Sequence, residues 1–127
     1  MEISTNRVQK KVGNACEVDL IKKLIAKRYW CHLFASTLSG QPCDIIAFND
    51  TKLFMIDAKH CDKDKFYTSR VEANQRTCFD MVESVRGKIC GFAIYFESDN
   101  TFRWLPYQKD MKKSYDKNEM ELLDNVL

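Results

Sequence analysis

Three carboxylates and a lysine, Glu17, Asp44, Asp57 and Lys59, stand where charge needs a reason. Two apolar-rich segments, residues 43–48 and 53–59, flank Asn49-Asp50-Thr51-Lys52, a turn composition, and so form a hairpin. A two- or four-residue turn gives the same register, in which Asp44 faces Asp57. Directly opposed residues share one face, with Cβ atoms ~4.5–5.5 Å apart. Lys59, two residues on, joins that face. Carboxylates ~5 Å apart repel by roughly 3 kcal/mol at an effective dielectric of 20. Residues 53–58 are apolar on both faces, so the strand is covered on both sides and the pair demands a cation.

The third acid lies on a helix. Gly13, Leu20, Ile21 and Leu24 fall within about 60° of Glu17 at 100° per residue, so Glu17 points along the apolar stripe or, if the helix phase differs, snorkels at its edge. An unpaired buried carboxylate costs several kcal/mol or becomes neutral. An all-oxygen cluster beside a lysine suits Mg²⁺, for which Mn²⁺ can substitute. Such a cation acidifies bound water and stabilises charge on a phosphoryl oxygen. Lys59 would orient or deprotonate the attacking water, or stabilise the phosphorane-like transition state. This is the chemistry of phosphodiester hydrolysis.

The elements that must position these groups follow from periodicity. The spacing predicts a helix over residues 6–28, a strand over 30–34, and the hairpin strands described above. Ser69 and Glu72 form a capping box that opens a helix running to about residue 86, with Gly87 as its stop. Residues 89–96, apolar on both faces, form a buried central strand. A turn at 98–100 leads into a last strand over 101–105, ended by Pro106. Residues 109–117 are polar, and residues 119–127 form a short amphipathic helix.

The chain of 127 residues, 45% hydrophobic and 30% charged, suits one globular domain rather than disorder. No apolar run reaches the ~20 residues of a membrane span, and the first residues show no basic-then-apolar signal pattern. The six cysteines lie far apart without CxxC spacing, which reads as reduced thiols in a cytosolic protein rather than a zinc site. A net charge of +2 does not announce a nucleic-acid binder, but its distribution is uneven. Residues 1–30 carry seven Lys/Arg against three acids, a segment that can grip phosphate or form a solvated face.

Pro42-Cys43-Asp44, followed by Asp57-Ala58-Lys59, resembles the PD-(D/E)XK nuclease signature. Gly13 with Glu17, the hairpin, and Gln75 on the next helix extend the resemblance over about residues 8–105. Within that superfamily the chain is similar to Holliday junction resolvases of the archaeal type or the bacterial RecU type. The short hairpin turn favours the archaeal form. The resemblance implies an α/β, restriction-endonuclease-like core with a mixed central sheet flanked by helices. It makes residues 1–127 a single nuclease domain whose residues 106–127 form a C-terminal tail.

The resemblance further implies a Mg²⁺-dependent DNA endonuclease acting on branched DNA, a four-way junction in particular, in recombination and repair. Its metal ligands are Asp44, Asp57 and Glu17, with the Ala58 carbonyl completing the shell. Ser39 assists catalysis, with Ser36 competing for that role. Asp57 departs from the usual Glu and shortens the reach to metal by one methylene. Symmetric cuts on two strands require two sites, hence a homodimer. The setting is cytoplasmic or nucleoid-associated, and a phage or mobile-element origin suits so compact a chain. A duplex, flap or repair nuclease, or a non-catalytic DNA-binding module, is the alternative.

Other residues divide between site and scaffold. Gln75 shares a helical face with Val71, Cys78, Phe79 and Val82, which aims its amide inward. It contacts the site or a substrate phosphate, or else is a buried amide satisfied by backbone. Lys10, Lys11, Lys63, Lys65 and Arg70 are candidate phosphate contacts. His60 lies on the strand face opposite Lys59 and reads as structural. Trp104 and Tyr107 read as core rather than base-stacking groups.

Overall fold

A computed structural model describes residues 12–34, 43–83, 85 and 88–127. Helix α1 spans Val12–Ala26 and precedes strands β1 (Trp30–Leu33), β2 (Ile45–Phe48) and β3 (Leu53–Cys61). Strand β4 (Lys65–Tyr67), a 3-10 turn at Thr68–Arg70 and helix α2 (Ala73–Val82) lead to β5 (Lys88–Phe96) and β6 (Thr101–Pro106). Strands β7 (Ser114–Asp116) and β8 (Glu121–Leu122) and helix α3 (Leu123–Val126) complete the chain. Six strands form one mixed sheet in the order β1-β2-β3-β5-β6-β8, and β4 pairs with β7 in a separate ribbon. Strands β3 and β5 are parallel, joined by the crossover that carries α2. No helix among the described residues is long and apolar enough to cross a membrane.

The hairpin adopts the expected register, from Ile45 opposite Ile56 to Phe48 opposite Leu53. Asn49 fixes its turn by accepting the N–H groups of Thr51 and Lys52 on its side-chain oxygen, at 2.9 and 2.8 Å. Strand β3 alternates between two cores. Phe54 and Ile56 pack with Cys16, Leu20 and Leu24 of α1, whereas Met55 and Cys61 lie in the core that contains Phe79 of α2. Leu20 and Leu24 are fully buried, and each contributes about 1.5–3 kcal/mol relative to exposure. Gly91 is required by a close approach: a Cβ there would meet the Leu105 carbonyl oxygen and the Trp104 ring, each at 2.6 Å.

Helix α1 ends in a Schellman arrangement. The Tyr29 N–H reaches the Leu24 carbonyl at 3.0 Å and the Arg28 N–H reaches Ile25 at 2.9 Å, with Arg28 left-handed at φ 69°. Helix α2 starts later than Ser69 implies. Glu72 is its N-cap, in a reciprocal capping box with Gln75, and Ser69 belongs to the preceding 3-10 turn. Val71 stays extended between the two and is buried, which ties the chain to the core before the helix begins. The helix ends at Val82, short of the expected residue 86.

The tail is also more ordered in its pairing than its polarity suggests. Strand β7 pairs with β4, β8 pairs with β6, and Met120 and Leu123 are buried. The expected helix over 119–127 shrinks to α3, because residues 121 and 122 extend the sheet instead. All six cysteines are free, and Trp104 and Tyr107 are core residues.

Candidate active site

Strand β3 outruns β2: pairing between them stops at Ile45 and Ile56, while β3 continues to Cys61. Past that point the N–H of Ala58 has no partner on β2. The side chain of Asp44 replaces it, its Oδ2 accepting from the Ala58 N–H at 2.8 Å. The Asp44 backbone is held as well, donating to the Ile56 carbonyl at 3.0 Å and accepting from the Phe34 N–H at 2.9 Å. The end of a strand thus fixes the first acid against the backbone of the second motif.

Asp57 is the most enclosed charged group of the site, its side chain only 1% exposed. Its Oδ1 accepts from Gln75 Nε2 at 2.5 Å, and Gln75 Oε1 accepts from the Glu72 N–H at 3.1 Å. Lys59 Nζ lies 2.8 Å from Asp57 Oδ2. That contact is ionic rather than an aligned hydrogen bond, and among the described residues no donor meets Oδ2 in hydrogen-bonding geometry. Burial pushes the Asp57 carboxyl up to about 8, the neighbouring Asp44 pushes the same way, and Lys59 opposes both.

The structure therefore brings Asp44, Asp57, Lys59 and Gln75 together. Gln75 reconciles both sequence readings, since one end of its amide contacts the site and the other satisfies backbone. Glu17 is placed differently. The buried stripe of α1 centres on Cys16, Leu20 and Leu24, which leaves Glu17 half-buried on its flank. Helix α1 also packs on the Phe54 and Ile56 face of β3, opposite Asp57 and Lys59. Among the described residues no three His, Cys, Asp or Glu side chains converge as a metal-binding group. Lys10, Lys11, Ser36 and Ser39 lie outside the described residues.

Of the candidate phosphate contacts, Lys63 is exposed and Lys65 makes a loose ion pair with Asp116 at 3.6 Å. Arg70 reaches back along the row Asp57, Lys59, Cys61: its Nη1 donates to Cys61 Sγ at 3.3 Å, and its guanidinium covers the Phe66 ring. His60 points to the opposite face, as its parity requires, where it pairs with Glu97 at 2.7 Å and stacks on Tyr95. Sequence reasoning missed the bond from Ala58 N–H to Asp44 and the support of Gln75 by Glu72. The unequal lengths of the two hairpin strands signal the first. The Glu72-x-x-Gln75 spacing signals the second.

The donor set suits a hard divalent cation. Two carboxylates crowd together, and one presents a buried oxygen without an aligned donor. Mg²⁺ takes one or two protein carboxylates and keeps several waters, so it needs no larger protein cage. The Ala58 carbonyl is a further oxygen on the same strand segment.

No family model matches this chain, and no curated protein does. Twenty-five chains of solved structure match it. One is Hjc from Archaeoglobus fulgidus, a Holliday junction resolvase from an archaeal hyperthermophile. The likeness has a TM-score of 0.71 at 20% sequence identity and covers 90% of this chain and 98% of that one. The two share a fold: a mixed central sheet flanked by helices, of the restriction-endonuclease-like kind.

Proposed function

We propose that this protein is a metal-dependent DNA endonuclease that acts on branched DNA, a four-way junction in particular. The observation that carries the reading is the juxtaposition of Asp44, Asp57 and Lys59 at the free end of β3, where a buried Asp57 oxygen has the Lys59 ammonium 2.8 Å away and, among the described residues, no aligned hydrogen-bond donor. The Hjc-like fold supports the substrate class, because that protein is a junction resolvase. The match spans nearly all of both chains.

Asp44 and Asp57 would hold Mg²⁺, or Mn²⁺ in its place, with the Ala58 carbonyl. Bound there, the cation supplies acidified water and charge stabilisation on the scissile phosphate. Gln75 holds Asp57 in an acceptor orientation, and Asp44 is oriented by the Ala58 N–H. Lys59 supplies the cation that orients the attacking water or meets developing phosphoryl charge. Lys63, Lys65 and Arg70, with Lys10 and Lys11, bind backbone phosphates, and Ser39 assists catalysis. Glu17 stays a proposed contributor whose test is Glu17→Gln: a changed Mg²⁺ dependence assigns it to the metal, and an unchanged one removes it.

The test is a substrate panel of synthetic four-way junction, duplex, flap and single strand, in Mg²⁺ and in EDTA. The proposal expects paired symmetric nicks in the junction alone, abolished by EDTA. Cutting of duplex or flap instead would keep the chemistry and replace the substrate. Tight DNA binding with no cleavage would make the chain a binding module.

A further inference from the structure

We propose that the outer face of the β4–β7 ribbon contacts the branch point of the DNA, with Tyr67 stacking on an exposed base while Lys65 and Lys113 hold the phosphates on either side of it. Phe66 places the ribbon. It is fully buried, and its ring lies 6.0 Å from that of Phe92, the β5 residue paired with Asp57. The ribbon therefore lies over the sheet face that bears Asp57 and Lys59, with Phe66 seated beside Asp57. Side chains alternate along a strand, so Lys65 and Tyr67 project away from the sheet on that same side. Tyr67 is 56% exposed.

The corner after Tyr67 is fastened from within. Thr68 is buried, and it donates its N–H to the Lys113 carbonyl at 2.9 Å and its hydroxyl to the Lys112 carbonyl at 2.7 Å. Lys113 is thus held opposite Thr68, and Tyr67 falls between Lys65 and Lys113 along the ribbon. Lys112 is already occupied, lying 4.8 Å from the centre of the Tyr115 ring and pairing with Glu119. Lys113 is exposed and has no ion-pair partner among the described residues. Lys65 meets only Asp116, in a loose exposed pair that a phosphate displaces at little cost. Arg70, two residues past Thr68, reaches back to Cys61 on the row of Asp57 and Lys59, so this surface runs into the site.

An aromatic face between two cations suits nucleic acid, since the ring stacks on a base and the ammonium groups meet the backbone. In continuous duplex each base is covered on both faces by its neighbours. At a branch point that stack is interrupted, and a base face is open to Tyr67. The same side chain therefore favours branched over linear DNA. The inference rests on the junction-cutting reading and names the group that selects its substrate.

The test is an anisotropy titration of the full chain in EDTA, where nothing is cut, against a dye-labelled four-way junction and a linear duplex of the same arm sequence. Tyr67→Ala should weaken junction binding about tenfold or more and duplex binding by less than twofold. Tyr67→Thr, which favours a strand but has no π-face, should do the same, and Tyr67→Phe should restore most of the affinity. Circular dichroism should match the wild type in all three. Lys65→Gln combined with Lys113→Gln should weaken both substrates and lower the salt slope of junction binding by nearly two. Junction binding by the Ala and Thr variants at wild-type affinity would overturn the proposal and leave the nuclease reading standing. So would an equal loss on junction and duplex, which is a general contact and not stacking at the branch. A wild type that binds no DNA would overturn both.

Discussion

A single amide joins Gln75 to Asp57: its Nε2 donates to Asp57 Oδ1, while its Oε1 caps α2 by accepting from the Glu72 N–H. The start of a helix and the orientation of a buried acid therefore depend on the same side chain. Two substitutions separate the roles. Gln75→Glu keeps an acceptor for the Glu72 N–H, and Glu is a natural partner in a capping box. It removes the donor to Asp57 and sets a third acid beside Asp44 and Asp57. Gln75→Ala loses both bonds, at about 0.5–2 kcal/mol for the cap alone. Cleavage should fall at least tenfold in both variants. Thermal melts at pH 5 and pH 8 should show a loss that grows with pH for Gln75→Glu and not for Gln75→Ala.

Asp57 makes the metal-free protein less stable as pH rises. Its folded carboxyl is raised from 3.8 to about 8, so between those values the folded chain holds a proton that the unfolded chain has lost. Stability is fully present below about pH 4 and declines toward pH 8, by at most about 1.4 kcal/mol per pH unit from this group. Asp57→Asn should flatten that decline in EDTA and be neutral or stabilising at pH 8. Urea titrations of both proteins across this window measure the difference. A clear loss of stability in the Asn variant at pH 8 would mean that Asp57 is a structural group.

Gly91 should not tolerate a side chain. A Cβ at 2.6 Å from both the Leu105 carbonyl and the Trp104 ring forces the β5–β6 pair to shift. Gly91→Ala should cost about 1–3 kcal/mol, read as a lowered midpoint in urea and a changed near-ultraviolet signal from Trp104.

Arg28 occupies the left-handed position that closes α1, at φ 69°. Glycine adopts that conformation without the Cβ penalty, so Arg28→Gly should stabilise the protein by about 1 kcal/mol in equilibrium unfolding.

The hairpin was legible in the sequence because an even turn fixes register and Asn49 makes that turn by itself. Residues 89–96 were legible because their apolar character on both faces admits only a central strand. Glu17 was not. Leu20, Ile21, Leu24 and Ile25 define a stripe only within tens of degrees, and the actual one is anchored by Cys16 and leaves Ile25 exposed. Which sheet face the helix covers is also a property of the whole chain. The start of α2 offered two capping spacings, Ser69 with Glu72 and Glu72 with Gln75, and burial of Val71 accompanies the second. Strands β7 and β8 span only three and two residues and pair with distant segments, so they leave no local alternation to read.

The central claim is that Asp44, Asp57 and Lys59 together cut a phosphodiester bond with a divalent cation. Single-turnover cleavage of a four-way junction tests it most directly, with Mg²⁺ titrated for the wild type, Asp44→Asn, Asp57→Asn and Lys59→Met. We predict saturable Mg²⁺ dependence in the wild type and a loss of about 1,000-fold or more in each variant, the scale on which residues of one catalytic unit fail together. Junction cleavage by Asp57→Asn at the wild-type rate would contradict the account.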